Sequence, residues 1–271
     1  MNLPIDKAII LAAGSGNRLA AAAKETPKPL LPLDGKKGGI TFLDWHLQAL
    51  SKLGVKEIYL VGNNVTHGTQ LKAMQDGIRA TWILNPTEDL STSGSGHSTS
   101  IAFDSEQAIL DGKSRVLLMD ADIVYDPEIL KVLANAPGKE SKTLVCSEFR
   151  QTDEEVLVFG DSQTDGRAPR YHGKGLLGTP LVKGCRCLGE ATGILLWEAA
   201  DHATLREVTR WQMKFSTPKH RSEHEDITQR MMLLGKMNAV GIGDEFDFME
   251  CDTPDEYRVL VEEVFPRLRS K

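Results

Sequence analysis

Short apolar runs alternate along this chain with stretches in which apolar residues recur at helical spacing. The run AIILAAG at 8–14 is typical of a buried strand that ends in a glycine loop. In residues 41–54, leucines recur every three or four positions up to Gly54, which predicts a helix with a glycine C-terminus. The other elements predicted in the first half are strands at 57–62, 79–85 and 115–120 and helices at 68–77, 97–110 and 126–136.

The second half has a less regular pattern of apolar runs. It predicts strands at 142–149, 155–160, 166–173, 191–197 and 247–251, and helices near 198–212, over 223–235 and from about 254. Short apolar strands that alternate with helices indicate an α/β protein: a Rossmann-like, mixed and mainly parallel sheet flanked by helices. Ligands bind such sheets beyond the carboxyl ends of the strands. We therefore expect the loops that follow 8–14, 79–85 and 115–120 to share one cleft.

Composition excludes several classes of partner. The 271 residues carry a formal net charge of −6, and no basic stretch is interleaved with aromatic residues, so we expect no nucleic-acid partner. No apolar run approaches the roughly 20 residues of a membrane span. No secretory h-region precedes the first strand, and the four cysteines are too scattered for a disulfide framework. We expect a cytoplasmic protein with reduced thiols.

The loop after the first strand, LAAGSGNR, has the small residues that let a backbone approach a phosphate chain. It is not a Walker loop, because no GKS or GKT follows, and it lacks the third glycine of a dinucleotide fingerprint. A tight turn between strand and helix would need the same small residues. The loop continues, however, into Arg18, and Lys28 follows ten positions later in KPLLPL. These two cations could balance the charge of a bound phosphate chain.

LAAGSGNRL with the lysine of KPLLPL resembles the signature of the nucleotidyltransferase family that makes sugar nucleotides and related activated compounds. The resemblance implies the nucleotide-diphospho-sugar transferase fold. It also implies one domain over 1–271, with a nucleotide-binding half at about 1–140 and an acceptor-binding half at about 141–271. Arg18 and Lys28 are then catalytic residues that hold the triphosphate and its developing negative charge. The implied nucleotide-binding residues of the loop are Leu11, Ala12, Ala13, Gly14, Ser15 and Gly16.

Acidic residues follow the strand at 115–120 in the sequence LLMDADIVYD. Mg²⁺ prefers one or two carboxylates together with phosphate oxygens and water, so Asp120 and Asp122 are candidate ligands beside a triphosphate. A solvated loop with an aspartate as helix cap is the alternative. The family resemblance favours Asp122 as the metal ligand and leaves Asp120 beside the nucleotide.

A second source of metal ligands is the segment FDFMECDTPDEY, which resembles the family's C-terminal metal segment. Glu250 and Asp252 are two residues apart on a predicted strand and therefore face the same side. Either carboxylate could reach a metal, and we prefer Asp252. The next acidic residues, Asp255 and Glu256, fit the first turn of the last helix, where negative charge is favourable.

The polar loop NPTEDLSTSGSGHSTS lies between a predicted strand and a predicted helix. In the family that it resembles, this loop holds the nucleotide base, and GSGHS is similar to the GNGxS form of cytidylyltransferases for small phosphorylated alcohols. His97 fits the start of a helix better than a catalytic role. The residues that the resemblance implies for nucleotide binding are Asn85, Ser95, Gly96 and Ser98.

Three segments of the second half resemble the family's acceptor site. GRAPRYHGKGL aligns Lys174 with a lysine that binds the acceptor's phosphate, GEATGILLW supplies Glu190, and HED supplies Glu225 and Asp226. Together the three carboxylates would form an acidic pocket suited to a cationic acceptor such as phosphocholine or 2-aminoethylphosphonate. A surface lysine and solvated helix residues are the alternatives for Lys174 and for the pair Glu225 and Asp226.

The sequence therefore predicts a Mg²⁺-dependent transfer of NMP, with CMP from CTP as the preferred donor, to a small phosphorylated or phosphonate acceptor. A sugar-1-phosphate enzyme that uses UTP, GTP or dTTP is the first alternative, although RLAAAA replaces the RLxPLT of such enzymes. A non-catalytic nucleotide-sugar-binding regulatory homologue is the second, and the retained Arg18, Lys28 and acidic residues count against it. The sequence is compatible with assembly into a homo-oligomer.

Overall fold

A computed structural model describes most of the chain, and a mixed sheet of nine strands organises this described part. The described residues are 4–14, 16, 19, 26–65, 80–149, 155–164, 167–217 and 220–271. The sheet contains β1 (Ile5–Leu11), β2 (Glu57–Gly62), β3 (Ala80–Leu84), β4 (Arg115–Asp120), β6 (Ser141–Cys146), β7 (Val156–Asp161), β8 (Pro169–Lys174), β9 (Cys185–Trp197) and β10 (Met237–Ile242). A separate pair joins β5 (Ile123–Tyr125) to β11 (Phe248–Glu250).

The strand order confirms a mixed sheet with a parallel half. Along the sheet the order is β10-β6-β9-β4-β1-β2-β3, and β7 and β8 branch from β9. The pairs β4-β1, β1-β2, β2-β3 and β10-β6 are parallel, whereas β9 runs antiparallel to β4, β6 and β7. The carboxyl ends of β1, β2, β3 and β4 therefore lie on the same side of the molecule, where a ligand-binding cleft was expected.

Helices cover both faces of this sheet. They are α1 (Phe42–Leu53), α2 (Ser95–Phe103), α3 (Glu128–Asn135), α4 (His202–Met213), α5 (His224–Leu233), α6 (Pro254–Val259) and α7 (Phe265–Ser270), with a π-helical turn at Leu260–Val264 and short 3-10 helices at Lys28–Leu30, Leu90–Thr92 and Ala199–Asp201. None of the helices in the described ranges has the length and apolar character that crossing a membrane requires.

The alternation of side chains along the strands explains why both faces are covered. Ile10 and Leu117 belong to a core with α1 and α3, whereas Ile9 and Leu118 belong to a second core with α2, α4 and α5. Because successive residues of a strand point to opposite faces, uniformly apolar strands need a layer of helices on each side. The predicted α/β fold class is thus confirmed.

The predicted helix at 41–54 is confirmed as α1, and its ends have the expected signals. Thr41 and Asp44 form a capping box, in which each side chain bonds the other residue's backbone N–H. Gly54 ends the helix in the left-handed region at φ 86°, a conformation that a residue without Cβ adopts without strain.

Several predicted boundaries were wrong. The helix predicted at 97–110 begins earlier, at Ser95, and ends at Phe103, because Asp104 is its C-cap and Ala108 has a left-handed φ of 48°. The strand predicted at 191–197 begins six residues earlier, at Cys185, and β5 and β10 were not predicted. The helix predicted at 68–77 lies outside the described residues.

Candidate active site

The two-stranded pair of β5 and β11 brings together acidic residues that are 130 positions apart in the sequence. Its register places Ile123 opposite Glu250, and the Cys251 backbone N–H donates to the carbonyl oxygen of Asp122 at 3.1 Å. Asp122 immediately precedes β5, and Asp252 lies just beyond the end of β11. Antiparallel pairing therefore gathers Asp122, Glu250 and Asp252 at one point.

Lys28 lies at the centre of this group. Its Nζ donates to Asp122 Oδ2 at 2.7 Å and to Asp252 Oδ1 at 2.8 Å, and its side chain is only 9% exposed. Burial by itself lowers the pKa of Lys28, but Asp122 and Asp252 outweigh burial and raise the pKa well above its usual range. The ammonium group is therefore charged at neutral pH and links both aspartates.

The three carboxylates fit a divalent cation. Asp122, Glu250 and Asp252 each have a carboxylate oxygen, and these oxygens all lie within 4.8 Å of one another. Burial first, and then the negative charges of Asp122 and Asp252, raise the pKa of Glu250 well above its usual range. One lysine cannot balance three carboxylates, and an all-oxygen donor set is the type that Mg²⁺ prefers.

The small-residue loop is anchored to the neighbouring strand. The Ala12 backbone N–H donates to the Val61 carbonyl at 2.7 Å, and Asn63 Nδ2 donates to the Ala13 carbonyl at 2.7 Å. A Cβ added to Gly14 would meet no atom of the described residues within 4 Å. Leu11, at the end of β1, is paired with Asp120 in β4. The loop therefore starts next to Asp120, the acidic residue that ends β4.

Three residues of this loop motif, Ser15, Asn17 and Arg18, lie outside the described residues. Gly16 is described and has φ of 59°, a left-handed conformation that suits glycine. A Cβ at Gly16 would lie 3.6 Å from Cβ of Lys28, which is ordinary van der Waals contact. The glycine loop and the lysine segment are thus neighbours in space.

Asp120 pairs with a histidine from the second half of the chain. His224 Nε2 lies 2.9 Å from Asp120 Oδ2, and the histidine side chain is 4% exposed. Burial by itself lowers the pKa of His224, but Glu225 and Asp120 raise it to about 10. A Cβ added at Gly193 would lie 2.3 Å from Asp120 Oδ2, so only glycine leaves room for this carboxylate.

The contact between Asp120 and His224 was missed by sequence reasoning, which took only the acidic residues from the HED segment. No local signal could have found it, because the partners are 104 residues apart and meet only through the packing of α5 against the sheet.

Asn85 and Ser98 stabilise the polar loop between β3 and α2 from inside. Asn85 Nδ2 bonds Ser98 Oγ at 3.0 Å and Ser93 Oγ at 3.2 Å, while Asn85 Oδ1 accepts from the Thr87 backbone N–H. Both Asn85 and Ser98 are buried. His97 lies in the first turn of α2, as predicted, with Nδ1 3.4 Å from Ser93 Oγ. We infer that Asn85 and Ser98 shape this loop.

The predicted acceptor residues do not share one face of the sheet. The register pairs Leu157 with both Gly173 and Glu190, so these three residues lie on one face of the β7–β8–β9 sheet. Lys174 is adjacent to Gly173 and therefore belongs to the opposite face, with His172. The α5 helix packs against this second face, because Val158, which is opposite His172 in the register, shares a hydrophobic core with Ile227 and Met231 of α5.

The predicted pocket of three carboxylates is therefore not assembled. Asp226 is exposed and accepts from the Glu223 backbone N–H at 3.0 Å, which makes it part of the α5 capping box. Glu225 Oε2 lies 3.5 Å from His224 Nδ1, on the α5 side. Glu190 lies on the other face, near Cys146, whose thiol pKa is raised to about 11 by burial first and by nearby carboxylates, Glu190 among them.

Comparison with known proteins shows which family the chain belongs to. Residues 8–207 match the model of the MobA-like NTP transferase domain, and the chain belongs to this family. The family predicted from the glycine loop and Lys28 is thus confirmed.

Three curated relatives are similar over parts of their length. CMP-5'-(3-aminopropyl)phosphonate synthase of Streptomyces rubellomurinus is 32% identical over 133 residues, 48% of this chain and 19% of that protein. N-acetylmuramate alpha-1-phosphate uridylyltransferase of Neisseria meningitidis is 33% identical over 102 residues, 38% of this chain and 35% of that protein. CTP:phosphoglutamine cytidylyltransferase of Campylobacter jejuni is 30% identical over 138 residues, 51% of each chain. The chain thus spans between about a fifth and a half of these relatives.

Two solved structures share the fold over nearly the whole chain. The inositol-1-phosphate CTP transferase from T. maritima aligns with a TM-score of 0.69 and 18% identity, covering 97% of this chain and 98% of that one. A putative glucose-1-phosphate thymidylyltransferase from Bacillus anthracis aligns with a TM-score of 0.67 and 16% identity, covering 94% and 93%. Identities this low establish the shared fold and nothing further about substrates.

Proposed function

We propose that this chain transfers CMP from CTP to a small phosphorylated or phosphonate acceptor and releases pyrophosphate. The observation that carries the proposal is the group in which Lys28 bonds Asp122 and Asp252, with Glu250 close by. A buried ammonium next to several carboxylates, at the carboxyl edge of a parallel sheet, suits a ligand that combines phosphate oxygens with a metal ion.

The chemistry needs positioning and charge more than proton transfer. An oxygen of the acceptor's phosphate or phosphonate attacks the α-phosphorus of CTP, a new P–O bond forms, and the bond to the β-phosphate oxygen breaks. Pyrophosphate carries away the electron pair of the broken bond. Because the attacking oxygen is already ionised at neutral pH, no general base is required. Lys28, and by resemblance Arg18, would stabilise the negative charge of the reacting phosphates.

Asp122, Asp252 and Glu250 are the residues that would hold Mg²⁺. When bound, this ion would neutralise phosphate charge and orient the triphosphate. The protein's own contribution is to keep the three carboxylates together. Lys28 does so by bonding two of them, and the pairing of β5 with β11 fixes the backbone from which they project.

The preference for CTP rests on the loop between β3 and α2. Its GSGHS sequence resembles that of cytidylyltransferases, and two of the three relatives described above carry CMP or CTP in their names. Asn85 and Ser98 hold this loop in shape, and the loop as a whole would hold the base.

The acceptor that we propose carries an amine, as in 2-aminoethylphosphonate or phosphocholine. Lys174 and Glu225 belong to the same side of the β7–β8–β9 sheet, whereas Glu190 belongs to the other. A short acceptor with a cationic and an anionic end would therefore use Lys174 for the phosphorus group and Glu225 for the amine. The relative from S. rubellomurinus, named for an aminopropylphosphonate, is consistent with this choice.

A sugar-1-phosphate uridylyltransferase is the second candidate. It is favoured by the 33% identity to N-acetylmuramate alpha-1-phosphate uridylyltransferase over 102 residues. The sequence RLAAAA, in place of RLxPLT, counts against it.

Pyrophosphate release separates these functions. The purified protein with Mg²⁺ is offered four NTPs against aminoalkylphosphonates, phosphorylated alcohols and sugar phosphates. Release with CTP and an aminoalkylphosphonate or phosphocholine is expected. Release only with UTP and a sugar phosphate would establish the second candidate, and no release with any pair would favour a non-catalytic regulatory homologue.

A further inference from the structure

The loop at 94–96 is bound by a segment of the second half of the chain. The backbone N–H of Ser95 donates to Glu223 Oε2 at 2.6 Å, and its hydroxyl donates to the same oxygen at 2.9 Å. The backbone N–H of His224 in turn donates to Ser95 Oγ at 2.8 Å. The hydroxyl of Ser95 is thus engaged as donor and as acceptor by residues almost 130 positions away.

The two glycines of this loop let the backbones touch. A Cβ at Gly94 would lie 2.3 Å from the carbonyl oxygen of Ser222, and a Cβ at Gly96 would lie 2.8 Å from the same oxygen. The Gly96 backbone N–H donates to this Ser222 carbonyl at 3.1 Å. Backbone atoms cannot rotate away as a side chain can, so any larger residue would separate the two segments.

The segment that binds the loop is itself fixed. Gln212 Nε2 from α4 donates to Ser222 Oγ at 2.6 Å, and the Ser222 backbone N–H donates to Ser216 Oγ at 3.0 Å. His224 starts α5 and reaches Asp120 at 2.9 Å with its imidazole. One pair of adjacent residues, Glu223 and His224, therefore contacts both the loop and the end of β4.

We propose that Glu223 and His224 are positioning residues that set the loop at 94–96 and the Asp120 carboxylate in the geometry that nucleotide binding requires. The inference rests on the proposed function, in which this loop holds the base of CTP. It assigns the Ser95 hydroxyl and the backbone N–H groups of Ser95 and Gly96 to this contact between the two halves, so that other groups of the loop would contact the nucleotide. A defect in Glu223 should therefore appear first as weaker nucleotide binding.

Glu223→Ala is the variant that tests this role, and the chain offers a matched control. Glu223 also belongs to the capping box of α5, so its removal costs some stability whatever its role. Asp44 is a carboxylate of the α1 capping box, at its third helical position, and its Oδ2 accepts from the backbone N–H and the hydroxyl of Thr41. Asp44→Ala therefore removes a cap of similar chemistry outside the proposed site.

The measurements are the Kd for CTP by calorimetry, kcat and KM for each substrate, and the melting temperature. We expect Glu223→Ala to weaken CTP binding by about tenfold to a hundredfold, the usual effect of losing hydrogen bonds to a charged group. Asp44→Ala should lower the melting temperature and leave CTP affinity unchanged. Ser95→Ala should weaken CTP binding in the same direction, and Ser95→Thr, which keeps the hydroxyl, should restore it.

Folded Glu223→Ala protein with wild-type CTP affinity would overturn the inference, and so would wild-type affinity in Ser95→Ala if Glu223→Ala fails to fold. Wild-type protein that binds no NTP would overturn the proposed function, and the inference with it. The two failures are distinguishable because only the second is seen in the wild type.

Discussion

The Lys28 group (Lys28, Asp122, Glu250 and Asp252) and the predicted acceptor residues (Lys174, Glu190, Glu225 and Asp226) differ in how the chain brings them together. Lys28 Nζ lies within 2.8 Å of a carboxylate oxygen of both Asp122 and Asp252, and the lysine side chain is buried. Lys174 and Glu190, which were predicted to bind one acceptor, belong to opposite faces of a sheet. The carboxylates of the first group lie at or next to the ends of strands and its lysine lies in a short 3-10 helix, whereas the second group has residues along strands and on a helix.

Charged residues of distant segments meet more readily at the ends of strands than along them. Loops at the carboxyl ends of neighbouring parallel strands converge on one edge, and a small antiparallel pair such as β5 with β11 adds further residues to it. Within a strand, in contrast, the pleat sends adjacent residues to opposite faces. A one-residue offset between Gly173 and Lys174 is enough to remove the lysine from the face of Glu190.

The largest expected effect is the loss of one carboxylate from the Lys28 group. Asp122→Asn should lower turnover by about a thousandfold or more, because it removes a candidate metal ligand and a partner of Lys28. The partly exposed position predicts little loss of stability. Steady-state turnover with Mg²⁺ is the measurement, and Asp255→Asn is the control, because Asp255 has a 92% exposed side chain. Near-wild-type turnover of Asp122→Asn would remove this carboxylate from the mechanism.

Removal of the cation from the same group should have the next largest effect. Lys28→Ala should lower kcat by about a hundredfold or more, the usual size for deleting one preorganised charge donor. The surface lysine Lys56, 71% exposed and paired with Asp6, provides the control Lys56→Ala. An increase in KM alone would show that Lys28 contributes uniform binding and not stabilisation of the transition state.

Two histidines, one near each of these regions, should make the stability of the protein depend on pH. His46 contacts Tyr125 of β5, and His172 lies beneath α5; burial lowers the pKa of each from 6.5 to about 4. As the pH falls below 6.5, the unfolded chain binds protons that the folded chain does not, so stability decreases until about pH 4. Each histidine should cost about 2 kcal/mol at pH 5 relative to pH 7.

Urea unfolding at several pH values measures this loss. The stability of His46→Gln at pH 7 is measured first, as its reference. Between pH 7 and pH 5 its free energy of unfolding should fall by about 2 kcal/mol less than that of the wild type, because one of the two histidines is gone. If the free energy of unfolding of both His46→Gln and His172→Gln changes with pH as in the wild type, these two histidines do not titrate as stated.

The smallest expected effect concerns the choice of acceptor. The ratio of kcat/KM for 2-aminoethylphosphonate to that for hydroxyethylphosphonate should be about tenfold to a hundredfold in the wild type, the usual value of a hydrogen bond to a charged group. Glu225→Gln should narrow this ratio, because Glu225 lies on the side of Lys174. Asp226→Asn should change stability only, since Asp226 caps α5. A narrower ratio in Glu190→Gln, with none in Glu225→Gln, would place the amine on the other face.

The sequence predicted the residues of the Lys28 group but not the contacts between the two halves of the chain. Lys28, Asp122, Glu250 and Asp252, which the structure brings together, were predicted because each stands in a short segment that resembles a segment of the family. The contacts of His224 with Asp120 and of Glu223 with Ser95 could not be found. They depend on how α5 packs against the first half, and a single sequence contains no periodic signal for such tertiary contacts.

Labelled CTP distinguishes transfer of the nucleotidyl group from transfer of the terminal phosphate. Wild-type protein is incubated with Mg²⁺, the accepted substrate and CTP that carries the label on either the α- or the γ-phosphate. Nucleotidyl transfer should place the α-label in the nucleotide-activated product and the γ-label in pyrophosphate. Transfer of the γ-label to the acceptor, or its release as inorganic phosphate in the absence of pyrophosphatase, would contradict nucleotidyl transfer at this site.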